Sequence, residues 1–254
     1  LLIAAAEAAH GPAKWDTFGL RLEGSVKVDG AAVMDRVKRE RDRFVGFVVA
    51  GVERIPEAHR LTGRAKFTSA TTIEVDDHTR IEFTRAVTAP GSPPWTPPVL
   101  RGAADRLVVN DDVFAWNDLP KSVAVFGPGV IGLELGQALS RLGVEVRMFG
   151  VGGLVGPFTD PVVRDYAARS FGAEFHLDAD AKVSVVERVE TGVRVRWRDH
   201  DGSETEAVVD WVIAATGRAP NVRGLGLEST GIVLDARGIP QFDRWTMQCG
   251  TSPI

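Results

Sequence analysis

The pattern of hydrophobic and polar positions divides the 254-residue chain into a helical start and a β-rich region that follows it. Residues 1–10 are rich in Ala and Leu and end at a His-Gly-Pro breaker, which predicts a short helix. The segment 31–51 repeats apolar residues at near-helical spacing and predicts a longer second helix. In residues 64–89, polar and β-branched residues alternate around the sequence DDHT, which predicts a small antiparallel meander with a hairpin turn.

The pattern changes at the stretch 90–100, PGSPPWTPPVL, which holds too much proline for a helix or a central strand. Such a connector indicates a crossing between domains. From Lys121 the chain reads as strand, helix, strand and then a helix at 160–172. Further strands are predicted at 181–189, 192–199 and 207–216, and short strands and turns return after 230. We therefore expect an α/β unit with an appended antiparallel hairpin, in a chain that leaves one domain and comes back to it.

Composition and charge narrow the class of protein. With 44% hydrophobic and 25% charged residues the chain is of the globular kind, and its formal net charge of −4 gives no reason to expect a nucleic-acid partner. No apolar run reaches the roughly 18 residues that span a bilayer, and the first residues lack the basic lead of a signal peptide. The sequence therefore favours a cytoplasmic protein with no membrane partner.

Few residues of the sequence are candidates for metal binding or thiol chemistry. The single cysteine, Cys249, excludes an internal disulfide and a Cys-rich metal site, and we interpret it as an inert residue of the core or its edge. The histidines are dispersed without metal spacing and are interpreted as structural or surface residues; they are His10, His59, His78, His176 and His200. We expect neither a metal site nor a catalytic residue in this chain.

A glycine turn follows the apolar strand that ends at Phe126. Gly127 permits a tight turn, Gly129 lets backbone amides approach a pyrophosphate, and Gly132 lets the following helix pack close to the strand. The N-terminus of that helix offers unpaired N–H groups and a positive dipole end to phosphates. An ordinary strand-to-helix loop is the alternative, but the complete strand–turn–helix–strand frame favours a dinucleotide site for NAD or NADP.

Gly150 stands where the second strand of such a unit normally carries an acid for the adenosine ribose. Neither an acid nor an arginine follows it in VGGLVG, and strand alternation turns Arg147 to the opposite face. Either ribose recognition is weak or uses another residue, or the site has lost its dinucleotide. The choice between NAD and NADP therefore stays open, and a Gly150→Glu substitution is expected to shift it towards NAD.

The sequences GPGVIGLELGQALSRLG and VIAATGRAPNVRGLGLESTGIVLDARG together resemble the pyridine nucleotide-binding domain of the flavoprotein disulfide reductases, especially dihydrolipoamide dehydrogenases. TAPGSPP resembles the crossing that precedes that domain, with Pro90 in place of a Thr. The resemblance extends over essentially the whole chain. It implies a Rossmann-like NAD(P)-binding domain at 119–235, inserted in an incomplete FAD-binding domain made of 1–118 and 236–254.

The resemblance also implies roles for individual residues. Gly127, Gly129, Val130, Ile131 and Gly132 would line the pyrophosphate and nicotinamide side, and Glu134 would approach the carboxamide. Val183 would meet the adenine, while Ala215, Gly217 and Arg218 would close the site. Ala65 would hold the adenine of FAD by its main chain, with Gly91 and Ser92 near that cofactor.

Two of these residues have an alternative role. Arg218 would pair either with the phosphates or with a neighbouring surface acid. Glu134 would contact the nicotinamide or would favour its helix N-terminus without touching a ligand.

The resemblance implies an FAD-dependent oxidoreductase that passes hydride between NAD(P)H and the flavin. The first flavin glycine motif, the redox cysteine pair, the second flavin motif and the histidine base of a C-terminal dimerisation domain are all absent from the 254 residues. We therefore expect a central piece of a homodimeric parent protein, inactive by itself. The alternatives are a non-catalytic or degenerate nucleotide-binding module and a flavin reductase with a non-disulfide substrate; the electron acceptor is not encoded in these residues.

Overall fold

A computed structural model describes residues 1–199 and 201–254, which form two compact units. The first unit contains residues 1–46 and 94–217, and the second contains 47–93 and 218–254. His200, interpreted above as structural or surface-exposed, lies outside the described residues.

The helices follow the predicted pattern closely. They are α1 (Leu2–His10), α2 (Gly30–Glu53), α3 (Asn110–Val113), α4 (Val130–Arg141) and α5 (Pro161–Gly172), with 3₁₀ segments at Gly11–Phe18, Glu57–His59, Pro98–Arg106 and Leu227–Ser229. Helix α5 begins at a proline in its first turn, and the Asp160 carboxylate caps it by accepting from the N–H groups of Val162 and Val163 at 2.8 and 3.2 Å. In the described part of the chain no helix combines the length and the apolar character that crossing a bilayer requires.

The strands are β1 (Ala65–Ser69), β2 (Thr72–Val75), β3 (Thr79–Glu82), β4 (Leu107–Val109), β5 (Ser122–Phe126), β6 (Glu145–Phe149), β7 (His176–Asp178), β8 (Lys182–Val189), β9 (Gly192–Arg198), β10 (Glu204–Val209) and β11 (Trp211–Ala214). The predicted strand 207–216 is two strands, because the chain changes sheets at Asp210. Its carboxylate accepts from Lys121 N at 2.7 Å and its own N–H donates to the Ser122 hydroxyl at 3.1 Å. Asp210 thus ties the end of β10 to the start of β5.

The first unit is built on a parallel sheet with the strand order β4-β11-β5-β6-β7. Alternate residues of β5 serve opposite faces, as the two-residue period of a strand requires. Val123 and Val125 pack with α1 and α4, while Ala124 and Phe126 pack with the antiparallel sheet β10-β9-β8 and the 3₁₀ segment Pro98–Arg106. The sheet is therefore covered on both faces, as expected for a doubly wound α/β protein.

The second unit contains the antiparallel sheet β1-β2-β3. The DDHT sequence connects β2 and β3, as predicted, with Asp76 at φ +50° in the turn. The small hydrophobic core of the second unit consists of Phe67, Leu227, Ile232 and Ile254. The α/β class with a parallel sheet and an added antiparallel hairpin is confirmed.

Candidate functional site

A cleft of about 670 Å³ lies in the first unit, at the carboxyl ends of β5, β6 and β11. The order of the sheet reverses between β5 and β11, and ligands of open α/β sheets bind at such switch points. The volume is within the range of small-molecule sites, roughly 300–1,000 Å³. The lining residues are Trp95, Pro97, Val99, Leu100, Phe126, Gly127, Pro128, Gly129, Phe149, Gly150, Val151, Leu154, Gly156, Ala181, Val183, Ala215, Thr216 and Gly217.

Two glycines of the turn are required by close packing of the backbone. Gly127 has φ +102°, and a Cβ there would stand 2.4 Å from the carbonyl oxygen of Ala215. A Cβ on Gly132 would stand 2.0 Å from the carbonyl oxygen of Gly127. These distances are too short for any real side chain, so both residues must be glycine for α4 to pack against the turn.

Gly129 differs from them because it faces open space. It precedes the first residue of α4, and a Cβ there would meet no protein atom within 4 Å among the described residues. The first turn of α4 has no side-chain cap in the described structure, so the initial N–H groups of the helix remain available to an anion. Because Gly129 has no side chain, the N-terminus of α4 can be approached from this side. The packing of the protein does not itself require a glycine at this position.

Gly150 is buried directly after β6, beside the glycine turn. A Cβ there would stand 2.7 Å from both the carbonyl oxygen of Ala179 and the ring Cγ of Pro128. A Gly150→Glu substitution would therefore force these neighbours to move, and its expected shift of preference towards NAD stays a prediction. Arg147 pairs with Glu145 at 2.5 Å, in line with its expected orientation away from Gly150.

The cleft has no charged lining residue in the described part of the chain. An anion in it would be held by backbone N–H groups and by the dipole of α4 rather than by a lysine or arginine. Two apolar lining residues, Val151 and Leu154, belong to the loop after β6, and a third, Val183, belongs to β8. Such a surface suits the flat ring of a base more than a charged group.

Of the residues predicted to bind a dinucleotide, six line this cleft: Gly127, Gly129, Gly150, Val183, Ala215 and Gly217. Gly132 is buried behind the turn, where its role is packing. Val130, Ile131 and Glu134 lie in the first turns of α4, are exposed or half-buried, and do not line the cleft. Their contacts with a ligand stay predictions.

Four predicted residues belong to the second unit. Ala65 begins β1 and lines a smaller cavity of about 220 Å³. Gly91 has φ +73° and accepts a backbone hydrogen bond from Asn221 at 3.0 Å. Arg218 donates from Nε to the carbonyl oxygen and the hydroxyl of Ser92, and its contact with phosphates or with a surface acid stays a prediction.

Several lining residues carry no sequence signal strong enough to single them out. Trp95 lies in the Pro-rich connector. Its backbone N–H donates to Gly217 O at 2.9 Å, and its backbone carbonyl accepts from the Thr216 hydroxyl at 2.6 Å. Pro128 contributes its ring beside Gly150 and its carbonyl to Gly156 N at 2.7 Å. The sequence singles out Trp95 only as an aromatic residue between prolines. The position of Pro128 in the cleft depends on contacts that form in the folded chain.

Reactive side chains are scarce outside the cleft. Burial raises the pKa of the Cys249 thiol, which favours the unreactive protonated form at neutral pH. Among the described residues no group of three or more His, Cys, Asp or Glu side chains could hold a metal ion.

A parallel sheet covered on both faces, with a glycine turn leading into an uncapped helix at its switch point, defines a doubly wound α/β protein of the dinucleotide-binding kind. The cradle fits a pyrophosphate, because the face of Gly129 is open where a Cβ would obstruct it. The family model described as pyridine nucleotide-disulphide oxidoreductase matches residues 9–250. The chain belongs to this family, and the resemblance noted in the sequence is confirmed.

Curated relatives agree with the family. A dihydrolipoyl dehydrogenase of Cupriavidus necator is 30% identical over 227 residues, covering 87% of this chain and 47% of that protein. A dihydrolipoyl dehydrogenase of Pseudomonas aeruginosa is 32% identical over 224 residues, covering 84% of this chain and 46% of that protein. The chain thus spans about half the length of the curated relatives it matches.

Solved structures share the fold. LpdA from Mycobacterium tuberculosis matches with a TM-score of 0.76 and 23% identity, covering 96% of this chain and 53% of that one. The HOCl-induced flavoprotein disulfide reductase RclA from Escherichia coli matches with a TM-score of 0.73 and 19% identity, covering 95% of this chain and 51% of that one. At these sequence identities the structural similarity shows a shared fold and carries no conclusion about function.

Proposed function

We propose that this chain is the nucleotide-binding part of an FAD-dependent, dihydrolipoamide dehydrogenase-like oxidoreductase. In this role it holds NAD(P)H in the cleft of the first unit and presents it to a flavin. The observation that carries the proposal is Gly129: its side of the turn is open, at the uncapped N-terminus of α4, where no packing contact requires a glycine. Membership of the family supports the same role.

The contribution of the chain to the reaction would be positioning. Backbone N–H groups of the first turn of α4 would bind the pyrophosphate, and Val183 would lie against the adenine. When bound, the nicotinamide and the flavin supply the hydride donor and acceptor. The cleft then excludes water and fixes the orientation, which lowers the barrier without any charged side chain.

The domain assignment belongs to the same proposal. Residues 119–235 would be the NAD(P)-binding domain, and 1–118 with 236–254 would contribute to an FAD-binding domain in which Ala65, Gly91 and Ser92 lie near the flavin nucleotide. One cysteine in 254 residues cannot form a redox pair, so disulfide chemistry would depend on other cysteines. A homodimeric parent protein is part of this proposal and rests on the family resemblance.

A degenerate binding module is the second candidate, and the lack of a charged residue in the lining of the cleft, within the described residues, favours it. The two candidates differ in one measurable property. An oxidoreductase part must bind NADH or NADPH with useful affinity, whereas a degenerate module has no such requirement.

The test is calorimetric titration of NADH, NADPH and ADP-ribose into the purified chain and two matched variants. Gly129→Ala adds a methyl group in the path of the pyrophosphate and should weaken binding by about tenfold or more, roughly 1.4 kcal/mol. Its stability should stay close to that of the wild type, because the methyl group meets no protein atom within 4 Å. Gly172→Ala makes the same chemical change in α5, also without a contact within 4 Å, and should bind like the wild type.

Absence of binding by the wild type up to millimolar ligand would reject the proposed function. Equal affinities of wild type and Gly129→Ala would show that the pyrophosphate does not lie at this turn.

A further inference from the structure

The loop that follows β6 is tied to the segment between β7 and β8. Gly150 N donates to Asp178 O at 2.7 Å, Gly153 N donates to Ala179 O at 3.0 Å, and Ala181 N donates to Gly150 O at 3.0 Å. The segment 178–181 therefore runs alongside the place where a ribose-binding acid would normally project from β6. Since Gly150 cannot carry a side chain without a clash, any side chain that reads the ribose must come from a neighbouring segment.

Asp180 belongs to that segment, and its carboxylate contacts the loop. Its Oδ1 accepts from Gly152 N at 2.8 Å, two residues beyond Gly150, and its side chain is 49% exposed. The next residue, Ala181, lines the cleft, as does Val183. The carboxylate is thus fixed to the backbone one residue before Ala181, beside a cleft whose own lining has no charge in the described structure.

From this arrangement we propose that Asp180 determines the cofactor preference of the cleft and selects NAD(H) over NADP(H). The inference rests on the proposed function. A fixed negative charge beside the ribose repels the 2′-phosphate of NADP(H), and a carboxylate oxygen is a suitable acceptor for the ribose hydroxyls of NAD(H). The acid that determines specificity is therefore Asp180, after β7. Gly150 contributes only by having no side chain.

Lys182 is the residue that opposes this assignment. Its Nζ lies 3.2 Å from both Asp180 oxygens, and its side chain is 67% exposed. A lysine near a 2′-phosphate would favour NADP(H). An exposed pair of this kind holds the lysine only weakly, whereas Asp180 is also anchored to the backbone of Gly152, so the carboxylate is the more firmly placed of the two charges.

The experiment compares the dissociation constants of NADH and NADPH for the wild type, Asp180→Asn and Lys182→Gln by calorimetry. Asn keeps an acceptor oxygen for Gly152 N–H, so the loop can retain its shape while the charge is lost. We expect the wild type to bind NADH about fivefold more tightly than NADPH, and Asp180→Asn to bring the two affinities close together. Lys182→Gln should leave the preference for NADH unchanged or strengthen it.

A second measurement uses the wild type alone and does not depend on the folding of a variant. Raising the ionic strength from about 0.02 to 0.5 M should reduce the preference for NADH, because salt screens the repulsion between Asp180 and the 2′-phosphate. ADP-ribose and its 2′-phosphorylated form should show the same trend, since the nicotinamide end does not take part.

The outcomes separate this inference from the proposed function. If neither nucleotide binds the wild type, the proposed function fails and the inference fails with it. If both bind and Asp180→Asn leaves their affinity ratio unchanged, only the assignment of Asp180 is overturned. A wild type that prefers NADPH, and loses that preference in Lys182→Gln, would assign the selection to Lys182 instead.

Discussion

Three glycines at or behind the cleft are required by packing, whereas Gly129 is not. At Gly127, Gly132 and Gly150 an added Cβ would stand between 2.0 and 2.7 Å from a carbonyl oxygen. At Gly129 the corresponding space is open. Within one sequence motif, Gly129 thus differs from Gly127 and Gly132 in having no packing requirement, and a single substitution can test the ligand contact proposed for it.

Gly150→Ala is predicted to destabilise the chain by about 1–3 kcal/mol, because the methyl group would press on Ala179 O and on the Pro128 ring. Chemical denaturation monitored by circular dichroism measures the change. Gly172→Ala is the matched control, since its methyl group has no contact within 4 Å and lies in a helix, where Ala is favoured over Gly. A Gly150→Ala variant as stable as the wild type would contradict the packing described for this loop.

Among the helices and strands, an ion-pair network fixes the end of α4. Arg141 is 12% exposed and donates from Nε to Glu174 at 2.7 Å, and a second contact joins it to Glu7 of α1. Gln137 donates to the same Glu174 carboxylate at 2.7 Å. The hydrogen bond from Arg141 lowers the pKa of Glu174, partly offset by burial, and the same hydrogen bond raises the pKa of Arg141. The network thus joins α1 and α4 to the segment that leads into β7.

Glu174→Gln is predicted to cost about 1–2 kcal/mol of unfolding free energy near neutral pH, because Arg141 would lose its less exposed acidic partner. The pKa of Glu174 is lower in the folded chain, so its contribution is complete above the ordinary value of 4.5 and is lost as the pH falls through the lowered pKa. The stability difference between wild type and variant should therefore be constant from about pH 6 to 8 and shrink in acid.

Denaturant unfolding at several pH values checks this dependence. Glu187→Gln serves as control, because the Glu187–Arg194 pair is more exposed and its loss should matter less. A Glu174→Gln effect that grows as the pH falls below 4.5 would contradict the predicted direction of the pH dependence.

Strongly patterned elements are the ones that the sequence predicts best. The unit β5–α4–β6 combines an apolar strand, a glycine turn and an amphipathic helix, and its first strand ends at Phe126, as predicted. The edge strands β4 and β7 escape prediction, because three residues are too few to show a two-residue period. The change of sheet at Asp210 also escapes it, since it depends on hydrogen bonds to residues almost ninety positions earlier.

For the whole molecule, the sequence identifies the family and the position of the glycine turn, but not the neighbours that complete the cleft. Trp95 is distant in sequence and Pro128 is ordinary in type, and their places in the cleft follow from contacts that the fold creates. The expected domain borders at 118 and 235 differ from the bounds of the compact units and stay a proposal.

The proposed role of the molecule depends on binding of the ADP-ribose part of a dinucleotide in the cleft of the first unit. Hydrogen–deuterium exchange of the chain, with and without ADP-ribose at about 100 times its dissociation constant, locates this binding along the backbone. Ligand at that concentration stabilises the bound state by roughly 2.7 kcal/mol. We predict that amides of residues 127–132 and 150–156 gain protection while those of β1 to β3 do not. Protection confined to β1 to β3, or no protection anywhere in the chain at millimolar ADP-ribose, would contradict binding in this cleft.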